Sequence, residues 1–213
     1  MAIDKNAITK EAQKFASKGQ FDKAIAEWKK LIKESPHDAN IFNTIGDLWR
    51  IETVSLRVFN AYGQGQHLPP SHPPVIPFML KQAMRSGTII VHGDGTQTRD
   101  YVYVDDVVGA MVAASTAPDL DGLVINVGSG TEVCVRDLAS LIIQVTGGKA
   151  EIVYNPRTDP GVSRMCADLT LARDRLSYQP HFSLAEGLKL TLDRDLRFRK
   201  DATRPLQPPP AEG

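Results

Sequence analysis

Three glycine pairs of the form G-x-G are the first feature of the sequence that suggests chemistry. They are Gly63/Gly65, Gly93/Gly95 and Gly128/Gly130. Backbone N–H groups of a glycine-rich loop can cradle a phosphate, but a dinucleotide fingerprint continues to a third glycine, G-x-G-x-x-G, where a helix begins. None of the pairs has that third glycine. We therefore expect turns at these positions and no pyrophosphate cradle for a dinucleotide.

The composition gives little support for a metal site, a nucleic-acid partner or a membrane partner. Cys134 and Cys166 show no C-x-x-C spacing and no accompanying histidine pattern, so we expect buried reduced thiols and no metal site. Lys plus Arg and Asp plus Glu each total 25 in 213 residues, which leaves no net field for a polyanion. No apolar run reaches the ~18 residues of a membrane helix, and the N-terminus lacks a signal-peptide core. These features predict a cytoplasmic protein with no nucleic-acid or membrane partner.

Residues 1–50 carry two apolar stripes at helical spacing, which Gly19 separates and Pro36 ends, and a third stripe then begins. Three positions of the first stripe return 34 residues later: Ile8, Ala12 and Phe15 as Phe42, Gly46 and Trp49. Thirty-four residues is the tetratricopeptide period, so residues 1–50 resemble one and a half such repeats, with Ala24 and Gly46 where small residues let helices approach. A generic amphipathic helical hairpin is the alternative. About three stacked repeats are needed for stability, so the apolar face must pack on something else.

Residues 51–200 alternate between strand and helix patterns, which predicts an α/β fold. Predicted strands lie in TVSLRVFNAY, TIIVHG, YVYV, LVINVGSG and AEIVYN, and predicted helices in VIPFMLKQAMRSG, DDVVGAMVAAS, VRDLASLIIQVTGG, LTLARDRLSY and LAEGLKLTLDRDLRF. The commoner type of basic residue also changes near Arg50, from Lys before it to Arg after it. Residues 201–213 are rich in proline and are predicted to be disordered. The expected domains are therefore 1–50, 51–200 and a tail.

Four motifs in residues 51–200 occur in a family-specific order. They are SLRVFNAYGQGQ, GDGTQTRDYVYVDDVV, INVGSGTE and VSRMCADLTLARDRLSYQPHFSLAEGL. In this order they resemble the C-terminal, substrate-binding half of extended short-chain dehydrogenase/reductases, the NAD-dependent nucleotide-sugar epimerases and dehydratases, and UDP-glucose 4-epimerase-like proteins above all. The resemblance implies a truncated α/β fold of that family, preceded by the all-α tetratricopeptide-like hairpin.

The resemblance implies substrate-binding roles for Asn60, Phe59 and Arg99. Asn60 matches an asparagine that contacts the diphosphate of a nucleotide-sugar, and an amide can donate to a phosphate oxygen without adding a buried charge. Phe59 matches a residue beside the substrate and the nicotinamide. Arg99 matches the arginine that clamps the diphosphate with paired donors. A turn-forming asparagine, and a surface salt bridge of Arg99 to Asp94 or Asp100, are the alternatives.

His92 and Arg164 complete the predicted substrate-binding set. His92 stands where the family has an aromatic residue at the nucleotide base, and an exposed histidine at a strand end is the alternative. Arg164 resembles a second phosphate-contacting arginine, although the usual Arg-x-Gly-Asp approach reads Arg157-Thr158-Asp159-Pro160-Gly161 here. Asp105 and Asp106 open a predicted helix, where we expect an N-cap role.

The catalytic half of the family is missing from the sequence. None of the five tyrosines is followed four residues later by the lysine of the family's Tyr-x-x-x-Lys pair, which makes the tyrosine a base for the sugar hydroxyl. We therefore predict no catalytic residue, and we expect that NAD, which the family implies, is not bound by this chain alone.

Three functions follow from the sequence. The first is a nucleotide-sugar-binding region, for a ligand such as UDP-glucose, that is inactive alone. The second is a half-enzyme that a separate Rossmann-domain chain completes. The third is a protein-interaction module that uses the face of Phe15, Trp28 and Trp49. A truncated sheet exposes an edge, so homodimerisation is also expected.

Overall fold

The computed structural model describes residues 5–156 and 162–198 and divides the chain into two compact units. Within the described residues, one unit combines 5–58, 108–127 and 168–179, and the other combines 59–107, 128–156, 162–167 and 180–198. Both units are thus built from separated segments, whereas the predicted boundary at Arg50 divides the chain once. The altered motif at 157–161 and the predicted tail at 201–213 lie outside the described residues.

The first unit contains helices and a pair of strands. In chain order they are α1 (Lys5–Ser17), α2 (Phe21–Glu34), α3 (Ala39–Trp49), β1 (Val54–Val58), β5 (Leu123–Val127) and α7 (Thr170–Leu176). β1 and β5 are parallel, with Leu56 opposite Ile125. Helices α1, α2 and α3 lie in the three segments where helices were predicted before Arg50, and the tetratricopeptide ancestry of these segments stays a prediction. Ile25, Leu31, Ile41 and Ile45 form their shared apolar core, against which Trp28 packs.

Helix α3 is joined to β1 and β5 by Asn43, a buried polar residue in an otherwise apolar face. Its Nδ2 donates to the carbonyl oxygens of Gly122 at 2.9 Å and Leu123 at 3.3 Å, and its Oδ1 accepts from Ser55 Oγ at 2.7 Å. These bonds satisfy the buried amide and fix the position of α3 on the two strands. The expectation that the helical segment packs on other parts of the chain is confirmed for α3. Gly46, however, leaves room for the side chain of Thr53 and not for a neighbouring helix.

The second unit is a set of short parallel and antiparallel strand pairs covered by helices. Its elements are β2 (Asn60–Tyr62), α4 (Val75–Arg85), β3 (Thr88–His92), β4 (Thr98–Tyr103), β6 (Glu132–Cys134), α6 (Val135–Thr146), β7 (Glu151–Asn155) and α8 (Leu184–Arg194), while α5 (Val104–Thr116) begins in this unit and ends in the other. β2 and β4 are parallel, β4 and β6 antiparallel, and β3 and β7 parallel. The predicted α/β class is confirmed.

Aromatic packing fills the core of the second unit. Tyr62 and Tyr103 meet edge to face with ring centroids 5.6 Å apart, and Tyr103 meets Phe182 at 5.0 Å. Edge-to-face contacts of this kind add to the stability that burial supplies. Gly187 in α8 lies directly against the hydroxyl of Tyr62, where a Cβ atom would overlap it. The glycine is therefore required by close approach and not by its backbone conformation.

Two local predictions were wrong. The run TVSLRVFNAY is not one strand: it breaks at Phe59, so that β1 pairs with β5 and β2 pairs with β4. Asp105 and Asp106 do not precede their helix, because α5 already begins at Val104. Instead, buried Asp106 accepts the backbone N–H of His181 at 2.9 Å, and Asp105 pairs with Arg194 at 2.7 Å.

Candidate functional site

A pocket of about 670 Å³ opens in the second unit, at the ends of β2, β3 and β4 and beside α4. That volume lies within the range of pockets that hold small-molecule ligands. Its polar lining consists of Asn60, His72, His92, Gln97, Arg99 and Tyr101. Its apolar lining includes Val75, Phe78, Met79, Ile90 and Val135. Arg99 gives the pocket a positive charge, and no carboxylate stands among the described residues that line it.

Strand alternation explains how β4 and the residue just before it supply three of the polar groups. Successive side chains of a strand point to opposite faces, so Gln97, Arg99 and Tyr101 share the face that lines the pocket. Tyr101 is also the register partner of Asn60 on β2, which brings the amide beside them. On β3, Ile90 and His92 line the same pocket by the same period of two. Alternate side chains of β3 and of the β4 segment, which belong to separate sheets, therefore line one cavity.

The opposite face of β4 holds the site in place through Asp100, whose side chain is fully buried. Oδ1 accepts hydrogen bonds from Ser129 N and Ser129 Oγ, both at 2.7 Å. Oδ2 accepts from Gly130 N and Ala167 N, both at 3.0 Å. Four donors satisfy one buried carboxylate and bind two loops to the strand that carries Arg99.

Asn60 and Arg99 are also oriented by backbone groups. Asn60 Nδ2 donates to the carbonyl oxygen of Asp100 at 3.0 Å, and Arg99 Nη1 donates to that of Thr98 at 2.7 Å. An amide carries two N–H donors and a guanidinium carries five. Backbone carbonyl groups of β4 thus orient both side chains.

Two buried polar atoms in the lining have no partner within the part of the chain that the structure describes. They are the hydroxyl of Tyr101 and Oε1 of Gln97, both on residues that are more than nine-tenths buried. Burial raises the pKa of Tyr101 to about 12, so its hydroxyl stays protonated and can donate. Unpaired buried polar atoms are uncommon and costly, and a ligand that hydrogen-bonds to them would remove that cost.

Of the five predicted substrate-binding residues, the structure brings three together. Asn60, His92 and Arg99 line the same pocket, whereas Phe59 and Arg164 are not among its lining residues. Arg164 is 75% exposed and pairs with Glu132, its Nε lying 2.7 Å from Oε1. The hydrogen bond from Arg164 lowers the pKa of the Glu132 carboxyl and raises that of the guanidinium. Phe59 marks the break between β1 and β2.

Sequence reasoning missed three polar residues of the lining. Gln97 and Tyr101 follow from Arg99 by strand alternation, so that signal was present in the QTRDY segment. His72 lies in the loop between β2 and α4, where no periodicity operates, and only the folded chain places it at the pocket.

The predicted thiols are both free, but Cys134 and Cys166 are only partly buried.

The glycine pairs behave as turns, as expected, and their N–H groups serve the fold. Four of the six glycines have φ between 69° and 74°, the left-handed region. Gly65 N donates to Asp195 and Gly130 N to Asp100, while Gly128 has no room for a Cβ beside Asp100. These two N–H groups are therefore engaged within the fold.

No group of three or more His, Cys, Asp or Glu side chains in the described ranges could hold a metal ion. No helix within them combines the length and the apolar character that crossing a bilayer requires.

Comparison with known proteins identifies a family that part of this chain matches. Residues 39–128 match the NAD dependent epimerase/dehydratase family. The match begins at α3, before the predicted boundary at Arg50, and includes the strands that carry Asn60, His92 and Arg99.

Individual relatives are nucleotide-sugar enzymes. The chain is 34% identical over 151 residues to a UDP-glucose 4-epimerase of Mycolicibacterium smegmatis, covering 71% of this chain and 48% of that protein. A solved UDP-glucose 4-epimerase of Thermotoga maritima with UDP-glucose is 31% identical, with a TM-score of 0.69, and the likeness covers 78% of this chain and 52% of that one. An epimerase structure from Methanothermobacter thermautotrophicus is 34% identical with a TM-score of 0.67, covering 72% and 46%. This chain therefore spans about half the length of the relatives that it matches.

Proposed function

We propose that the pocket of Asn60, His92 and Arg99 binds a nucleotide-sugar, a UDP-hexose such as UDP-glucose, and that this chain alone does not catalyse its epimerisation. The observation that carries the proposal is the convergence of these three side chains on one 670 Å³ pocket, which contains the guanidinium of Arg99 and, among the described residues that line it, no carboxylate. A planar guanidinium offers paired N–H donors to phosphate oxygens, and the Asn60 amide adds a neutral donor.

The pocket has a polar part for hydroxyl groups and an apolar part for flat rings. Tyr101 and Gln97 hold a buried donor and a buried acceptor that no described residue satisfies. A sugar hydroxyl both donates and accepts, so it can pair with either. Phe78, Met79 and Ile90 provide apolar surface for a base or a sugar face. The resemblance assigns His92 to the base, on which an imidazole can stack.

In this proposal no residue of this chain transfers a proton or a hydride. Tyr62 and Tyr103 are buried in the aromatic core, and burial raises the pKa of both hydroxyls. A tyrosine base requires the opposite change, which a neighbouring lysine produces in the family's Tyr-x-x-x-Lys pair. We therefore assign this chain binding and orientation of the substrate, and no chemical step.

Thermal unfolding with and without millimolar UDP-glucose tests the proposal, because a ligand that binds the native state alone raises the melting temperature. We expect a cooperative transition that UDP-glucose moves upward. Arg99→Ala should remove the ligand-dependent increase, and Arg164→Ala is the matched control, because its guanidinium pairs with Glu132 away from the pocket. A transition that UDP-glucose leaves unmoved, or an equal loss in both variants, contradicts the assignment.

A second candidate function is a half-enzyme completed by a separate Rossmann-domain chain, and the edge of β1 favours it. Within the described residues β1 pairs with β5 alone. A groove of about 510 Å³ is lined by all five residues of β1, Val54–Val58, together with Pro36, His37, Ala39 and Phe42. Alternate residues of a strand face opposite sides, so a groove that touches five in succession runs along the strand edge. Such an edge can accept an added strand.

Reconstitution tests this second candidate. The chain is mixed with a separately expressed Rossmann half of a related UDP-glucose 4-epimerase, and complex formation and NAD-dependent epimerisation of UDP-glucose are measured. Co-elution with restored activity supports the half-enzyme. Activity that stays absent although the two chains co-elute contradicts it, and self-association of this chain through β1 would give dimers without the second half.

A further inference from the structure

The loop between β2 and α4 contains a strained residue at the mouth of the pocket. His72 has φ of +53°, in the left-handed region that residues with a Cβ atom seldom adopt. It also precedes Pro73, and a residue before proline is restricted to extended conformations. Two independent steric preferences therefore oppose the conformation of His72.

The other left-handed residues have ordinary explanations. Among the described residues other than glycine, those with positive φ are Arg50, His72, Asp119 and Ser177. Arg50 and Ser177 end helices α3 and α7, where the left-handed conformation commonly closes a helix. Asp119 is an aspartate in a turn, a residue type that tolerates this region. His72 alone in this set neither ends a helix nor is an aspartate in a turn, and it alone precedes a proline, which disfavours the left-handed conformation for any residue type.

No hydrogen bond compensates for the strain. Within the described ranges the imidazole of His72 has no hydrogen-bond or ionic partner, and the residue is exposed while lining the pocket with Asn60, Arg99 and His92. The surrounding loop, LPPSHPP, holds prolines on both sides, and their fixed φ angles limit how the segment can relax. Strained residues that persist in this way concentrate at ligand-binding sites.

A second observation marks the same pocket as a place for a polar ligand. The hydroxyl of Tyr101 and Oε1 of Gln97 are buried and unpaired in its lining. His72, whose backbone is strained, and these two atoms thus border one cavity. We infer that His72 is a ligand-contacting residue of this pocket, and that its ring N–H donates a hydrogen bond to the bound nucleotide-sugar. This inference rests on the proposed function.

Replacing His72 with glycine separates strain from ligand contact, because glycine adopts positive φ freely but carries no imidazole. We expect His72→Gly to raise the melting temperature of the ligand-free chain by about 2 °C. The same variant should weaken binding of UDP-glucose by roughly tenfold in isothermal titration calorimetry. His72→Asn, which tolerates positive φ and keeps an N–H donor, should recover part of the affinity.

Ser177→Gly is the matched control, since Ser177 also has positive φ and lies in the other compact unit. This control should stabilise the ligand-free chain and leave the affinity for UDP-glucose unchanged. Parallel titrations with UDP locate the contact: an equal loss for UDP and UDP-glucose assigns it to the nucleotide, and a loss for UDP-glucose alone assigns it to the sugar. Either loss supports the inference.

Two results overturn the inference and distinguish it from the proposed function. If the wild type binds UDP-glucose, Arg99→Ala abolishes binding and His72→Gly binds as the wild type does, then the pocket is correct and the role of His72 is wrong. If the wild type binds no UDP-glucose in a folded state, both proposals are wrong together.

Discussion

Asp100→Asn exchanges one oxygen of the buried carboxylate for an NH₂ group at the centre of the second unit. In the wild type each carboxylate oxygen accepts two hydrogen bonds: Oδ1 from the N–H and hydroxyl of Ser129, and Oδ2 from the N–H groups of Gly130 and Ala167. Whichever way the asparagine amide turns, its NH₂ group meets at least one backbone donor. We therefore expect the substitution to destabilise the second unit although size and shape hardly change.

The number of lost partners sets the magnitude. If the NH₂ group replaces Oδ2, two backbone N–H groups lose their acceptor, and if it replaces Oδ1, one loses it while the Ser129 hydroxyl can rotate to accept. A buried donor without a partner costs about 1–3 kcal/mol. The amide takes the less costly orientation, in which one backbone N–H loses its acceptor, so the free energy of unfolding should fall by roughly 1–3 kcal/mol, a substantial part of the 5–15 kcal/mol of a typical domain.

Urea unfolding followed by far-UV circular dichroism measures this loss. Tryptophan fluorescence is less suitable, since Trp28 and Trp49 both lie in the other unit. Asp94→Asn is the matched control: its carboxylate is exposed and accepts from Thr96 N at 3.0 Å and Thr96 Oγ1 at 2.7 Å. The control should change the urea midpoint far less. Equal midpoints for the two variants would refute the central structural role of Asp100.

Three further predictions concern the second unit. Gly187→Ala should cost about 1–3 kcal/mol of unfolding free energy in urea, because the new Cβ overlaps the buried Tyr62 hydroxyl; an unchanged midpoint contradicts this close approach. Ser183→Ala removes the N-cap of α8 and should cost about 1 kcal/mol by the same assay, with Ser140→Ala inside α6 as a neutral control. The hydrogen bonds from Arg197 lower the pKa of Asp195 from 3.8 to about 2, so its stabilisation is complete above about pH 4 and is lost as the pH falls towards 2. Allowing for solvent screening of the partly exposed pair, Asp195→Asn should lower the free energy of unfolding by about 1 kcal/mol at pH 7. If the difference in unfolding free energy between this variant and the wild type widens below pH 4, the assignment is refuted.

Regular segments of the fold were predictable because burial imposes a period. The helices α4, α6 and α8 and the strands β3, β4 and β5 follow from apolar spacing and flanking glycines. The break at Phe59 was not predictable, since β1 and β2 read as one apolar run and only their different partners separate them. Strand β6 has three residues, too few for any period to be recognised.

The candidate site was predictable where motif and alternation coincide. Arg99 and Asn60 stand in motifs that resemble the family, and the strand period extends Arg99 to Gln97 and Tyr101. His72 could not be found in this way, because its place depends on a loop conformation that the prolines and the pocket determine together. Arg164 had a motif resemblance, but its ion pair with Glu132 is a long-range contact that no local pattern shows.

The central claim is that this chain, about half the length of its relatives, carries a nucleotide-sugar site of its own. Isothermal titration of the purified chain with UDP-glucose, without NAD and without a second protein, tests it most directly. We expect saturable binding near one ligand per chain that Arg99→Ala abolishes and Arg164→Ala leaves intact. A folded chain that releases no heat and shows no binding of UDP-glucose at millimolar concentration would contradict the claim.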